Sequence, residues 1–365
     1  MCVIGTRPEA IKMAPVVLEA RRRGRFRVLL CATGQHKDML YHGLEPFELT
    51  PDIDLGLMQY DQTLHGLTSR LLTSITDCLT ERTPDAVLVQ GDTQSCLAGA
   101  LASFWKRIPL GHVEAGLRTA YRANPFPEEM NRRLTDQLAD WHFAPTQQAR
   151  ENLLREGIPL ERTLVTGNTA IDALFIGLAA LQKTPPAYTD FDPRILEGHS
   201  LILVTEHRRE NHGPNLELLC QALCDVVQAD ESLCIVFPVH MNPHVQRAVQ
   251  KELASVDRIH LIAPQPYLPF IDLMQRARVI VTDSGGIQEE APSLGKAVLV
   301  TRVSTERPEV LSTGLVRLIE SSRDAIRKEI LRSLSDSQHI GPVNNPCGDG
   351  RAAERILDFL ERQLL

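Results

Sequence analysis

Short apolar runs alternate with longer amphipathic runs along almost the whole chain, and this alternation most limits what it can fold into. A short apolar run bounded by turn residues suits a strand buried on both faces. An apolar stripe at helical spacing suits a helix lying on a sheet. Strands are expected at 2–5, 26–32, 86–90, 110–113, 142–144 and 163–165, with helices at 8–23, 64–82, 95–106, 127–139, 146–155 and 170–182. Strands and helices taking turns predict a parallel, doubly wound α/β sheet, because parallel neighbours need a crossover between them. Residues 183–193, K-T-P-P-A-Y-T-D-F-D-P, break the pattern and read as a linker. It then restarts, with strands expected at 201–205, 234–238, 259–262, 279–282, 297–301 and 316–319 and helices between them, one at 216–228. After the turn-rich stretch 341–348, a last amphipathic helix is expected over 350–364. The chain thus reads as two α/β domains, 1–182 and 183–350, with parallel sheets, facing across a cleft. Ligand is expected at the strand C-terminal ends.

The 365 residues suffice for two full cores, and 43% hydrophobic with 23% charged residues is ordinary for a globular protein. A net charge of −7 argues against a nucleic-acid partner. No apolar run approaches a membrane span, and the first residues lack a signal peptide's apolar core. The eight cysteines contain no C-x-x-C pair, so they are expected to be reduced, mostly buried thiols in a cytoplasmic protein.

The segment D-S-G-G-I-Q-E-E-A-P-S-L-G-K (283–296) follows the apolar run 279–282. Glycines at a strand end let backbone amides approach a ligand, and a helix starting there points free N–H groups at it. Glu289 and Glu290 fall where a carboxylate can accept hydrogen bonds from a ribose diol. Phosphate cradle beside ribose-binding acid suggests a nucleotide or nucleotide sugar; an ordinary helix start is the other reading.

Other charges cluster at expected strand ends. In G-T-R-P-E-A-I-K (5–12), capping spacing explains Thr6, Pro8 and Glu9 but does not require Arg7 or Lys12. Asp92 and Glu114 each follow a strand, so both are expected at one sheet edge, where paired acids point to catalysis. His112, within its strand, is expected to be a packed core residue. Glu128–Arg132 and Glu129–Arg133 share i,i+4 spacing, which does not say which pair faces inward. His207 follows the first strand of the second half, where a histidine can contact pyrophosphate or act as a general acid. His240 and His244 are spaced like a zinc pair, but Pro243 interrupts the helix they would need, and no metal is expected. No G-x-G-x-x-G occurs, so a bound dinucleotide gains no support and no cofactor is expected.

Taken together, these segments resemble the non-hydrolysing UDP-N-acetylglucosamine 2-epimerases over nearly the full length. The resemblance also rests on G-Q-H-K-D-M-L (34–40), G-D-T (91–93), G-H-V-E-A-G-L-R-T (111–119), P-E-E-M-N-R (127–132), G-N-T-A-I-D-A-L (167–174), H-R-R-E-N (207–211), P-V-H-M-N-P (238–243), Q-P-Y-L-P-F (265–270) and T-E-R-P-E (305–309). It implies two Rossmann-like domains of the glycosyltransferase-B kind, a homodimer, and a C-terminal helix packed back on the first domain. It implies interconversion of UDP-N-acetylglucosamine and UDP-N-acetylmannosamine. By motif, Arg7, Lys12, Gln265, Phe270, Ser284, Gly285, Gly286, Glu290 and Arg307 would hold UDP. Asp92, Glu114, Glu128 and His207 would surround the sugar and the breaking bond, Arg132 would join that catalytic cluster, and Gln35 would lie near a regulatory substrate site.

Two departures accompany the resemblance. Fewer residues precede G-T-R-P than the family usually carries, and Glu206 stands before His207 where the family usually has a small residue. A carboxylate there would raise the histidine pKa or repel pyrophosphate. The rival readings are a 2-epimerase for a related UDP-aminosugar, a hydrolysing 2-epimerase, a glycosyltransferase of the same fold and a nucleotide-sugar sensor.

Overall fold

A computed structural model describes the chain apart from residues 35–36, 58–61, 120, 207–212 and 337–342. His207 and Gln35 therefore lie outside the described residues. The fold is α/β and divides into two compact units, Met1–Gly177 with Cys347–Leu365, and Leu178–Pro346.

In the first unit, β1 (Cys2–Ile4), β2 (Leu30–Ala32), β3 (Ile53–Asp54), β4 (Val87–Gln90), β5 (Leu110–Val113), β6 (Trp141–Ala144) and β7 (Thr163–Val165) form a seven-stranded sheet. Its order is β3-β2-β1-β4-β5-β6-β7 and its pairings are parallel. The helices are α1 (Arg7–Arg23), α2 (Lys37–Leu44), α3 (Leu64–Arg82), α4 (Gln94–Lys106), α5 (Glu128–Leu138), α6 (Gln147–Arg155) and α7 (Thr169–Leu181). Helices covering both faces bury the central strands completely, which is why β4 reads as an uninterrupted apolar run. The strand expected at 26–32 is confined to Leu30–Ala32, because the β1–β2 ladder runs only from Cys2↔Leu30 to Ile4↔Ala32. Gly5 ends β1 where α4 comes closest: a Cβ there would stand 2.0 Å from Ser95 Oγ.

In the second unit, β8 (Ser200–Thr205), β9 (Leu233–Pro238), β10 (Ile259–Ile262), β11 (Val279–Thr282), β12 (Ala297–Val300) and β13 (Val316–Leu318) form a parallel six-stranded sheet, ordered β10-β9-β8-β11-β12-β13. Around it lie α8 (Pro214–Ala229), α9 (Pro243–Leu253), α10 (Tyr267–Arg276), α11 (Gly285–Glu290) and α12 (Arg323–Ser335). The proline-rich segment is fastened to this unit: Tyr188 donates to Asp272, and Thr189 exchanges hydrogen bonds with the Gln265 side chain. In both sheets the chain reverses direction beside the first strand, between β1 and β4 and between β8 and β11. Crevices for ligands open at such switch points, at the strand C-terminal ends. Among the described residues, no helix is long and apolar enough to cross a membrane.

The last helix, α13 (Ala352–Leu364), belongs to the first unit. Phe359 packs edge-on against Trp141 and Phe143 at centroid distances of 6.2 and 5.6 Å. Arg23 donates to Asp358 at 2.7 Å and Glu361 at 3.3 Å. Arg351 at its N-cap makes no side-chain cap; instead Asp172 on α7 accepts from the amides of Ala352 (3.1 Å) and Ala353 (2.8 Å). A carboxylate from a distant helix thus satisfies amides left open at the start of α13. Asp172→Ala should cost about 1–2 kcal/mol, the scale of a lost N-cap. Thermal denaturation with amide exchange should show α13 released first; unchanged protection there would refute the cap.

Candidate active site

The acids of the first unit sit where its strands end. Asp92 lies in the turn between β4 and α4, and Glu114 directly follows β5. Lys12, one turn into α1, reaches Glu114 Oε2 at 2.5 Å, and Gln90, the last residue of β4, donates to the same oxygen at 2.8 Å. Glu114 is nearly buried and has φ +68°, a conformation that non-glycine residues rarely adopt. Arg132 on α5 donates to Asp92 Oδ2 at 2.5 Å. Asp92, Glu114, Lys12 and Arg132 therefore gather at the C-terminal edge of the first sheet, beside its switch point. Arg7 opens α1 at that edge, with its stem packed toward Gly43. Glu128, half-buried, is the first residue of α5.

The i,i+4 pairs of α5 part company. Arg132 turns to Asp92 and to Glu129 Oε2 at 3.3 Å. Glu129, fully buried, also takes Arg133 at 2.7 Å. Of the two neighbouring glutamates, Glu129 thus takes both arginines, and Glu128 is half-buried at the start of the helix. The sequence placed His112 in the core, where it is fully buried, with Nδ1 2.6 Å from Asp136 and Nε2 2.7 Å from the Gly91 carbonyl. Burial would raise the Asp136 carboxyl, but His112 and Arg118 hold it down at about 2.

In the second unit the glycine-rich turn opens α11 after β11. A Cβ on Gly285 would lie 2.6 Å from Arg307 Nη1, so only glycine lets that guanidinium sit over the helix start. Buried Glu289 holds Arg307 through Nε, while Glu290 lies half-buried at the end of α11. Ser284, Gly285, Gly286, Glu290 and Arg307 are thus gathered at one place, and Glu289 is a positioning acid there. Phe270 is half-buried on α10. Gln265 is buried, and its side-chain amide is committed to Thr189 and to the Ala263 carbonyl. Glu206 is also buried and accepts from Thr301 Oγ1 at 2.9 Å. His240 accepts from the Asn242 amide and His244 opens α9; among the described residues no group of His, Cys, Asp or Glu could hold a metal ion.

The family model for UDP-N-acetylglucosamine 2-epimerase matches residues 18–361. The chain belongs to the UDP-N-acetylglucosamine 2-epimerase family. It is 48% identical to the UDP-N-acetylglucosamine 2-epimerase of Salmonella typhimurium, over 99% of this chain and 98% of that one. It superposes on the Neisseria meningitidis UDP-GlcNAc 2-epimerase, solved bound to UDP-GlcNAc, with TM-score 0.90, 43% identity and 99% of both chains covered. The Methanocaldococcus jannaschii UDP-GlcNAc 2-epimerase, solved with UDP-GlcNAc and UDP, gives TM-score 0.83 at 33% identity over 99% of both chains. A kitacinnamycin glycotransferase, 12% identical with TM-score 0.64, shares the fold alone.

Some residues of this family member went unnoticed in the sequence. Gln90 was legible, since it ends β4 by the reasoning that singles out Asp92. The Asp136–His112 contact had no local signal, because its partners are 24 residues apart. Glu9, read only as a cap, also ties two loops together: it accepts from the amides of Gly5 (3.0 Å) and Thr6 (2.7 Å) and from the Thr93 hydroxyl (2.7 Å). Burial pushes its carboxyl from the ordinary 4.5 up to about 7, against the pull of these hydrogen bonds. A folded-state pKa raised this way gives stability that is present below about pH 4.5 and lost as pH rises through 7. Glu9→Gln should therefore gain melting temperature relative to the parent between pH 5 and pH 8. Parallel stability profiles would show that Glu9 is not the titrating group.

Proposed function

We propose that this chain interconverts UDP-N-acetylglucosamine and UDP-N-acetylmannosamine by eliminating and re-adding UDP, without releasing free sugar. The observation that carries the reading is the pairing of Asp92 with Arg132 and of Glu114 with Lys12 at a sheet switch point, in a chain of this family. The C2 proton of an acetamido sugar is not acidic, so a carboxylate cannot simply remove it. Breaking the C1–O bond as C2 loses its proton solves this: the electron pair of the C2–H bond forms the C1–C2 double bond, and UDP leaves with the C1–O pair. Re-addition of UDP to this glycal, with a proton delivered to the opposite face of C2, gives the epimer. Asp92, Glu114 and Glu128 supply the acid–base groups, with Arg132 in their cluster. His207, by resemblance, would meet the charge that develops on the leaving pyrophosphate.

UDP is assigned to the second unit. The Arg307 guanidinium at the Gly285 turn suits a pyrophosphate, and Glu290 suits a ribose diol. Gln265 enters through its backbone and Phe270 through its ring, and Arg7 is assigned to UDP by the resemblance alone. Glu290→Ala should weaken UDP binding by roughly 1.5–3 kcal/mol, the scale of hydrogen bonds to charged groups. Gly285→Ala should do the same by displacing Arg307. Calorimetry finding full UDP affinity in both would remove this turn from the site.

We also read the protein as a cytoplasmic homodimer. The resemblance supports the dimer, and the cysteines, all free and mostly buried, suit a reducing compartment. Light scattering giving the mass of one chain would end the dimer reading.

The mechanism is tested by running the reaction in D2O without added cofactor and following it by NMR. Deuterium should enter C2 of the product. Retention of the original hydrogen, or strict dependence on NAD, would overturn elimination. Free N-acetylmannosamine would indicate a hydrolysing enzyme instead. Asp92→Asn, Glu114→Gln and Glu128→Gln should each lower turnover by about 10²–10⁴-fold with UDP binding intact. Near-normal turnover in all three would remove them from the chemistry.

A further inference from the structure

One chain of ion pairs leaves Asp92 and returns to the residue before it. Arg132 holds Asp92 at 2.5 Å and faces Glu129 at 3.3 Å; Glu129 binds Arg133 at 2.7 Å. Arg133 reaches Glu156 at 2.9 Å, which takes Arg118 at 2.6 Å, and Arg118 reaches Asp136 at 2.7 Å. Asp136 binds His112 Nδ1 at 2.6 Å, and His112 Nε2 ends the circuit on the Gly91 carbonyl at 2.7 Å. Each ring nitrogen faces one oxygen, so the imidazole bridges the Asp136 carboxylate and the Gly91 carbonyl. Gly91 has φ +72°, and Cys96 also donates to its carbonyl at 3.3 Å. The turn bearing Asp92 is therefore fixed at its side chain by one residue of α5 and at the preceding carbonyl, through His112, by another residue four positions along the same helix.

We propose that His112 and Asp136 are positioning residues for the epimerisation chemistry: they set the direction of the Gly91 carbonyl and thereby the place of the Asp92 carboxylate. Neither touches the crevice, since both are fully buried. Asp136 also meets the Gly116 amide at 3.3 Å, so the same carboxylate steadies the turn that follows Glu114. This inference rests on the functional reading above, in which Asp92 takes part in the reaction. Its chemistry is hydrogen bonding alone: the pair orients the backbone and exchanges no proton with substrate.

Asparagine and glutamine divide the two functions of His112. Asparagine places its amide near the position of Nδ1 and can keep Asp136, but cannot reach Gly91. Glutamine extends toward the position of Nε2 and can keep the Gly91 carbonyl. In the full-length protein, His112→Asn and Asp136→Asn should lower kcat roughly 10–100-fold, the scale expected when a reacting group is misplaced by about 1 Å. KM and UDP affinity should stay within about twofold, and His112→Gln should recover much of the lost kcat. In an Asp92→Asn background, His112→Asn should have little further effect on kcat, because the group it positions is already gone. Equal defects in the Asn and Gln variants, or independent effects in the double variant, would overturn the proposal. Should the parent protein leave UDP-N-acetylglucosamine unchanged, the functional reading fails by itself. A crystal structure of His112→Asn then decides the positioning claim: a displaced Gly91–Asp92 turn supports it, and an unmoved one overturns it.

Discussion

The grip of α5 on the turn after β4 is the interaction on which the candidate chemistry of the first unit depends. One helix presents Arg132 to Asp92 and Asp136 to His112, and through His112 it reaches the Gly91 carbonyl. The spacing matters: residues four apart on a helix face the same way, so both contacts can reach one turn. Glu128 opens the same helix. The positions of Asp92 and Glu128 therefore depend on the docking of α5, which is tied to β5 through His112.

Much of the fold was legible because parallel α/β proteins write their strands as short apolar runs. Leu110–Val113, Thr163–Val165, Ile259–Ile262 and Val279–Thr282 were bounded to the residue, as was the helix Leu64–Arg82. What escaped was short or set by distant partners. β3 is two residues long and carries no period to read. The strand expected from residue 26 is limited by its ladder with β1, not by its own apolar content. The amphipathic stripe announced α13, but the carboxylate that caps it comes from α7, 180 residues away.

The site shows the same division. Placing Asp92 and Glu114 at one sheet edge needed only the rule that charges after neighbouring parallel strands share that edge. The partners of those acids could not be read. Lys12 lies 102 residues from Glu114, and nothing in its helix chooses that acid over an anionic ligand. Spacing alone could not say whether Glu128 or Glu129 turns inward. Burial decides: Glu129 faces the packed side and collects Arg132 and Arg133, and Glu128 stays half-buried at the start of the helix. Gln265 was assigned by motif to a ligand, and what could not be read is that its side chain also secures the proline-rich segment through Thr189. Glu206 is buried and accepts from Thr301, while His207, on which it was expected to bear, lies outside the described residues.

A buried circuit of charges is an expensive way to support a turn. Desolvating each ion costs several kcal/mol, and well-packed apolar side chains often stabilise a fold equally well. Apolar contacts, however, have no direction. They fix where a side chain lies but not where a carbonyl points, and a reacting carboxylate has to be held to a fraction of an ångström. Hydrogen bonds supply that direction. In this circuit carboxylates alternate with arginines from Asp92 to Asp136, and His112 joins Asp136 to the Gly91 carbonyl. Its buried pairs are Arg132 with Glu129 and Arg118 with Asp136, and removing one partner of either would strand the other at a cost of about 3–5 kcal/mol. The need for direction accounts for the buried pairs of charges beneath the turn after β4.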